Sequence, residues 1–123
     1  YDQMSEIYNA ADIVLSIPTS DSSPKSVYEA MFCMKPVIVS DIAWTYEVLK
    51  DSEVIRVKCR DSDETSIALI KLINNKKLRN EISENAYQAA MENFSYEKNM
   101  LAMERIMQDE CLKYRKQNTK VNK

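Results

Sequence analysis

The chain has 123 residues, 45% hydrophobic and 29% charged, which is enough for one domain with a real core and too few for two. No apolar run approaches the roughly 20 residues that span a bilayer, and a net charge of −2 argues against nucleic-acid binding, which shows as a strong basic excess. Histidine is absent, and Cys33, Cys59 and Cys111 are odd in number and widely spaced, which speaks against a zinc site and against Ser-His or Cys-His nucleophile systems.

Met4, Ile7, Tyr8 and Ala11 recur at helical spacing, which predicts a helix over 3–11. The run from Ile13 to Ile17 is short, apolar and β-branched, and reads as a buried strand closed by Pro18. A polar stretch, Thr19 to Ser23, leads to a second helix. Ser23 is the expected N-cap and Pro24 the first helical residue, with Val27, Ala30 and Met31 as the apolar face and an end near Met34. Pro36 opens a second strand, Val37 to Ser40. Residues 41–49 are expected to hold a loop with a short helix, and 54–57 a third strand.

After Arg60 the chain is expected to be helical. Asp61, Ser62 and Asp63 can cap a helix bearing Leu69, Ile70 and Ile73. Asn74 and Asn75 interrupt it, and a following helix carries Leu78, Ile82, Ala86 and Ala89. A break at residues 93–95 precedes a last helix to about residue 115, whose Met100, Met103 and Met107 read as packing residues. Residues 116–123 are expected to form a disordered basic tail. Lys113, Arg115, Lys116, Lys120 and Lys123 collect late in the chain, either as a solvated fraying end or as a weak attraction to an anionic membrane face.

This order of elements is α/β. Short strands joined through helices imply a parallel, Rossmann-like sheet with right-handed crossovers and helices on both faces, three layers in all. Three strands make a thin sheet, so a segment earlier in a longer polypeptide is expected to complete it. The opening at Tyr1, without an initiator methionine, agrees with a cut inside such a polypeptide.

Ligands of open parallel sheets bind beyond the carboxyl ends of the strands. Beyond the first strand lies Thr19-Ser20-Asp21-Ser22-Ser23-Pro24-Lys25-Ser26, leading into a helix N-terminus, a ready site for anions. Glycine is absent from the chain, so no glycine-rich phosphate loop exists in its usual form. Hydroxyls at Ser22, Ser23 and Ser26 offer donors instead. Asp21 and Glu29 bracket the terminus, roughly 8 to 10 Å apart at about 1.5 Å per helical residue and a more extended loop. Carboxylates suit polyols because they accept two hydrogen bonds in a fixed plane. The plainer reading is that Asp21 shapes a turn and Glu29 pairs with Lys25 for a few tenths of a kcal/mol.

The residues Ala11 to Pro18, Asp21 to Met31 and Lys35 to Asp41 resemble the retaining GT-B glycosyltransferases of the group 1, family 4 type, over roughly residues 3–110. That family's signature is an acidic residue, seven residues, then glutamate followed by Ala-Met; Asp21 and Glu29-Ala30-Met31 match it. Glu47 looks like the glutamate after the next loop, and Phe94-Ser95-Tyr96 like the step before the last helix.

The resemblance implies that residues 1–94 are part of the C-terminal domain, which binds a nucleotide-diphosphate sugar, with a C-terminal helix over 95–115. Glu29 would accept the ribose hydroxyls and Asp21 would contact the donor sugar as the catalytic-site carboxylate. Backbone amides from Ser22 to Val27, with Lys25 and Ser26, would hold the diphosphate. The parent protein would be a hexosyltransferase acting on a glycan, lipid or polysaccharide precursor. No metal or cofactor is implied, and the acceptor domain lies elsewhere in the same polypeptide, so this chain alone is expected to be inactive. The cysteines read as buried thiols of a reducing compartment, in keeping with a cytoplasmic protein, peripheral at the inner membrane face if the tail binds it.

The sequence also departs from the family. Met34 stands where glycine is common, and Ala43-Trp44 where a glycine pair is common. Trp44 would either reshape the cleft or stack on a base or acceptor sugar. Asp21 replaces the commoner glutamate. Two further readings stay open: a GT-B-like scaffold without turnover, and a receiver-like domain built on Asp12 and Asp41.

Overall fold

The computed structural model describes residues 3–121, with side chains up to residue 113. The chain divides into two compact units, Tyr1–Met91 and Glu92–Lys123.

The first unit runs α1 (Met4–Ala10), β1 (Val14–Ser16), α2 (Lys25–Phe32), β2 (Val37–Ser40), α3 (Ala43–Val48), β3 (Ile55–Val57), α4 (Ser62–Asn74) and most of α5 (Lys76–Asn93). The sheet is parallel throughout, in the order β1-β2-β3. This is the α/β architecture expected. β1 is shorter than expected because only Val14, Leu15 and Ser16 find partners, opposite Val37, Ile38 and Val39. The ladder is opened by the Val14 N–H donating to the Pro36 carbonyl at 3.0 Å. Val54 is buried but lies outside the β3 ladder.

β2 is the centre of the sheet, and all four of its residues are buried. Ile38 packs with Val57, Ala68, Leu72 and Ile82. Its neighbours Val37 and Val39 point to the opposite face by the two-residue period of a strand, so β2 is covered on both sides. Full burial of each such side chain contributes about 1.5 to 3 kcal/mol.

The helix ends explain where the chain turns without glycine. Asp61 caps α4, its carboxylate accepting from the Glu64 N–H at 2.8 Å. Asn75 does the same for the Leu78 N–H at 2.9 Å. At the end of α2, Lys35 N–H donates to the Ala30 carbonyl and Met34 N–H to the Met31 carbonyl, each at 3.0 Å. That pair of bonds is a Schellman motif, whose left-handed position usually holds glycine. Here Met34 takes it, with φ of 55°.

The second unit consists of the end of α5 and α6 (Tyr96–Val121). The break expected at 93–95 is present, and the Asn99 side-chain amide donates to the Asn93 carbonyl at 3.1 Å across it. Met100, Met103 and Met107 are exposed rather than packed. Lys113 pairs with Glu110. The side chains of Arg115, Lys116 and Lys120, and Lys123 altogether, lie outside the described residues, and the tail's expected membrane attraction with them. No helix among the described residues is long and apolar enough to cross a membrane.

The cysteines are less buried than expected: Cys33 and Cys59 are half-buried and Cys111 is exposed, all as free thiols. Asp12 precedes β1 while Asp41 follows β2. In a parallel pair these are opposite ends, so the two do not form the acidic cluster a receiver-like domain needs.

Candidate functional site

The loop after β1 and the start of α2 carry Asp21, Ser22, Ser23, Lys25, Ser26, Val27 and Glu29. Asp21 organises the loop. Its Oδ1 accepts the backbone N–H of Ser22 at 2.7 Å and of Ser23 at 3.2 Å. Ser23 is therefore not the N-cap. Pro24 takes that position, with extended backbone and no side-chain cap, because the Ser23 hydroxyl goes instead to the Tyr28 hydroxyl, 2.5 Å away. The Val27 N–H donates back to the Pro24 carbonyl at 3.1 Å. Three of the amides expected to meet a diphosphate thus have internal acceptors. Asp21, Ser22, Ser23, Lys25 and Ser26 are all exposed, whereas the Val27 side chain is buried and belongs to the core.

Glu29 lies one turn along α2 from Lys25. Its Oε1 is 3.5 Å from the Lys25 ammonium, and the two side chains are 29% and 76% exposed respectively. Its Oε2 accepts a hydrogen bond from the Tyr8 hydroxyl at 3.0 Å. Tyr8 belongs to α1 and is buried. Burial and the Glu29 carboxylate push the Tyr8 phenol above its usual range. Sequence reasoning placed Tyr8 only on an apolar helix face. The signal that pointed further was a hydroxyl-bearing residue on that face.

Trp44 is 4% exposed. Burial rules out stacking on a ligand at the surface, and the indole packs against Tyr28 instead. Glu47, on the same short helix, is exposed. α3 itself is held from β3: Arg56 donates to the Thr45 hydroxyl and to the carbonyls of Thr45 and Leu49. Asp51 accepts a further bond from the same guanidinium. Tyr46, on α3, has its phenol raised first by a hydrogen bond to Asp41.

A separate cavity of about 420 Å³ lies between Ile17 and Thr19 after β1 and Lys58, Arg60 and Asp61 before α4. Among the described residues no cluster of three or more His, Cys, Asp or Glu could hold a metal ion.

Residues 1–89 match the family of glycosyl transferases group 1. The chain belongs to that family. Its fold is that of GT-B glycosyltransferase C-terminal domains, as solved structures bear out. The Anabaena protein Alr3699/HepE in complex with UDP superposes with a TM-score of 0.79 at 20% identity, covering 88% of this chain and 30% of its own. Sucrose-phosphate synthase from Thermosynechococcus elongatus gives 0.76 at 19% identity, over 84% of this chain and 26% of that one. The C-terminal domain of LpcC, a group 1 family protein from Francisella tularensis, gives 0.67 at 26% identity, over 73% and 47%. The chain described here spans less than half the length of each of these proteins. No curated protein sequence matches it.

Proposed function

We propose that this chain is part of the donor-binding half of a retaining, family 4 type hexosyltransferase, which moves a sugar from a nucleotide-diphosphate sugar to a hydroxyl of a glycan, lipid or polysaccharide precursor. The observation that carries the reading is Glu29: a part-exposed carboxylate one turn into α2, held in place by Tyr8 and Lys25. The Anabaena neighbour, solved with UDP and with UDP-glucose, supports the donor class.

In this reading Glu29 accepts the ribose hydroxyls. Lys25, Ser22, Ser23, Ser26 and the positive end of the α2 dipole meet the diphosphate, and no metal takes part. Asp21 contacts the donor sugar. A carboxylate offers about four lone-pair sites, so Asp21 can accept from a sugar hydroxyl while its Oδ1 still fixes the loop. The acceptor is held by the other half of the polypeptide, and the present chain alone does not turn over. The protein works in the cytoplasm.

A second reading, a GT-B-like scaffold without turnover, is favoured by one observation. The Ser22 and Ser23 amides already have Asp21 as acceptor.

The two readings separate on activity of the full-length polypeptide. Incubation with UDP-, GDP- and ADP-sugars and mixed glycan and lipid acceptors is expected to release one nucleotide and form a product of unchanged anomeric configuration. Asp21→Asn is expected to lower that rate by about a hundredfold or more. Donor binding without release, in every pairing, would favour the scaffold.

A further inference from the structure

The Glu29 carboxylate has two differently held oxygens. Oε1 faces Lys25, whose side chain is 76% exposed, a partner that a diphosphate can draw away at little cost because exposed pairs are weak. Oε2 is bonded at 3.0 Å by the hydroxyl of Tyr8, a ring that is 8% exposed and anchored in α1. The bond links residues 21 apart in sequence and ties α1 to α2. The Glu29 carboxylate, 29% exposed, could be satisfied by water without it. Its consequence is orientation: with Oε2 pinned by a rigid aromatic donor, the carboxylate plane is fixed and Oε1 is presented to the ligand side.

We propose that Tyr8 is a positioning residue for donor recognition, fixing Glu29 so that Oε1 accepts from the ribose hydroxyls of the nucleotide. The proposal rests on the ribose role of Glu29 given above. A preorganised carboxylate loses less rotamer freedom on binding and holds the planar two-bond geometry that a ribose diol needs.

The test is the ribose discrimination of the full-length polypeptide: the ratio of Kd for the 2′,3′-dideoxy nucleotide to Kd for the natural one, taken with whichever of UDP, GDP and ADP binds. Tyr8→Phe keeps the ring and removes the hydroxyl. It is expected to lower the discrimination about three- to tenfold with little change in Tm, and to add nothing in a Glu29→Ala background. If Tyr8→Phe retains the full ratio while Glu29→Ala abolishes it, Tyr8 does not position Glu29 and the ribose role stands. If Glu29→Ala also keeps the ratio, or no nucleotide binds, the ribose role and the proposal fall together.

Discussion

The ring of Tyr28 on α2 and the indole of Trp44 on α3 meet edge to face, with centroids 6.4 Å apart and planes at 73°. Through this contact α3 supports the helix that bears Glu29. Among the described residues the Trp44 indole N–H has no hydrogen-bond partner, so the site gains from the ring and is penalised for the N–H. Trp44→Ala is expected to cost about 3 to 5 kcal/mol. Trp44→Phe keeps an aromatic edge and removes the buried donor, and is expected to cost less than about 2 kcal/mol. Urea denaturation followed by circular dichroism checks both. Equal losses would mean that the aromatic edge against Tyr28 contributes nothing.

Arg56 predicts a non-conservative lysine. Its guanidinium serves Thr45 twice, Leu49 and Asp51, and lies 4.4 Å from the Tyr46 ring centroid. A lysine ammonium cannot reproduce that planar fork. Arg56→Lys is expected to cost about 1 to 3 kcal/mol, chiefly by leaving acceptors at the end of α3 unmet. A chemical melt gives the value.

Local signals explain what the sequence made legible. The β-branched run of β2, the Asp61 cap and the Asn75 break each depend on residues a few positions apart, and each is where the pattern put it. The Ser23 cap was misread because a nearer carboxylate, Asp21, takes the Ser23 amide and Tyr28 takes its hydroxyl. The Tyr8–Glu29 bond and the Arg56 clamp join different elements and leave no periodic trace. Trp44 could be placed at the surface or inside from sequence, and only its packing on Tyr28 decides. The methionines of α6 follow a helical stripe, yet the stripe did not reveal that they stay exposed.

Met34→Gly is expected to stabilise the fold. A left-handed conformation costs an ordinary residue about 1 to 2 kcal/mol, and glycine recovers part of it against its larger chain entropy. The net gain is about 0.5 to 1 kcal/mol, read as a higher denaturation midpoint. No gain would show that the Met34 side chain makes compensating contacts.

Tyr8 gives stability a pH dependence at the alkaline end. Its folded pKa is raised by burial, by the hydrogen bond to Glu29 and by the charges of Glu29 and Cys33. The stabilisation is therefore complete below the unfolded value near 10 and is lost as pH rises through the folded value. Tyr46 acts in the same direction. Tyr8→Phe is expected to flatten the fall of Tm above pH 10 relative to the parent and to leave the acid limb unchanged. Identical alkaline limbs would contradict a raised folded pKa for Tyr8.

The central claim is that Glu29 binds the donor nucleotide, and titration calorimetry of UDP, GDP and ADP into the full-length polypeptide and its Glu29→Ala variant tests it most directly. One nucleotide is expected to bind the parent, and the variant to lose about 1.5 to 3 kcal/mol, the size of a charge-assisted hydrogen bond. Equal binding by parent and variant, or no binding of any of the three, would contradict it.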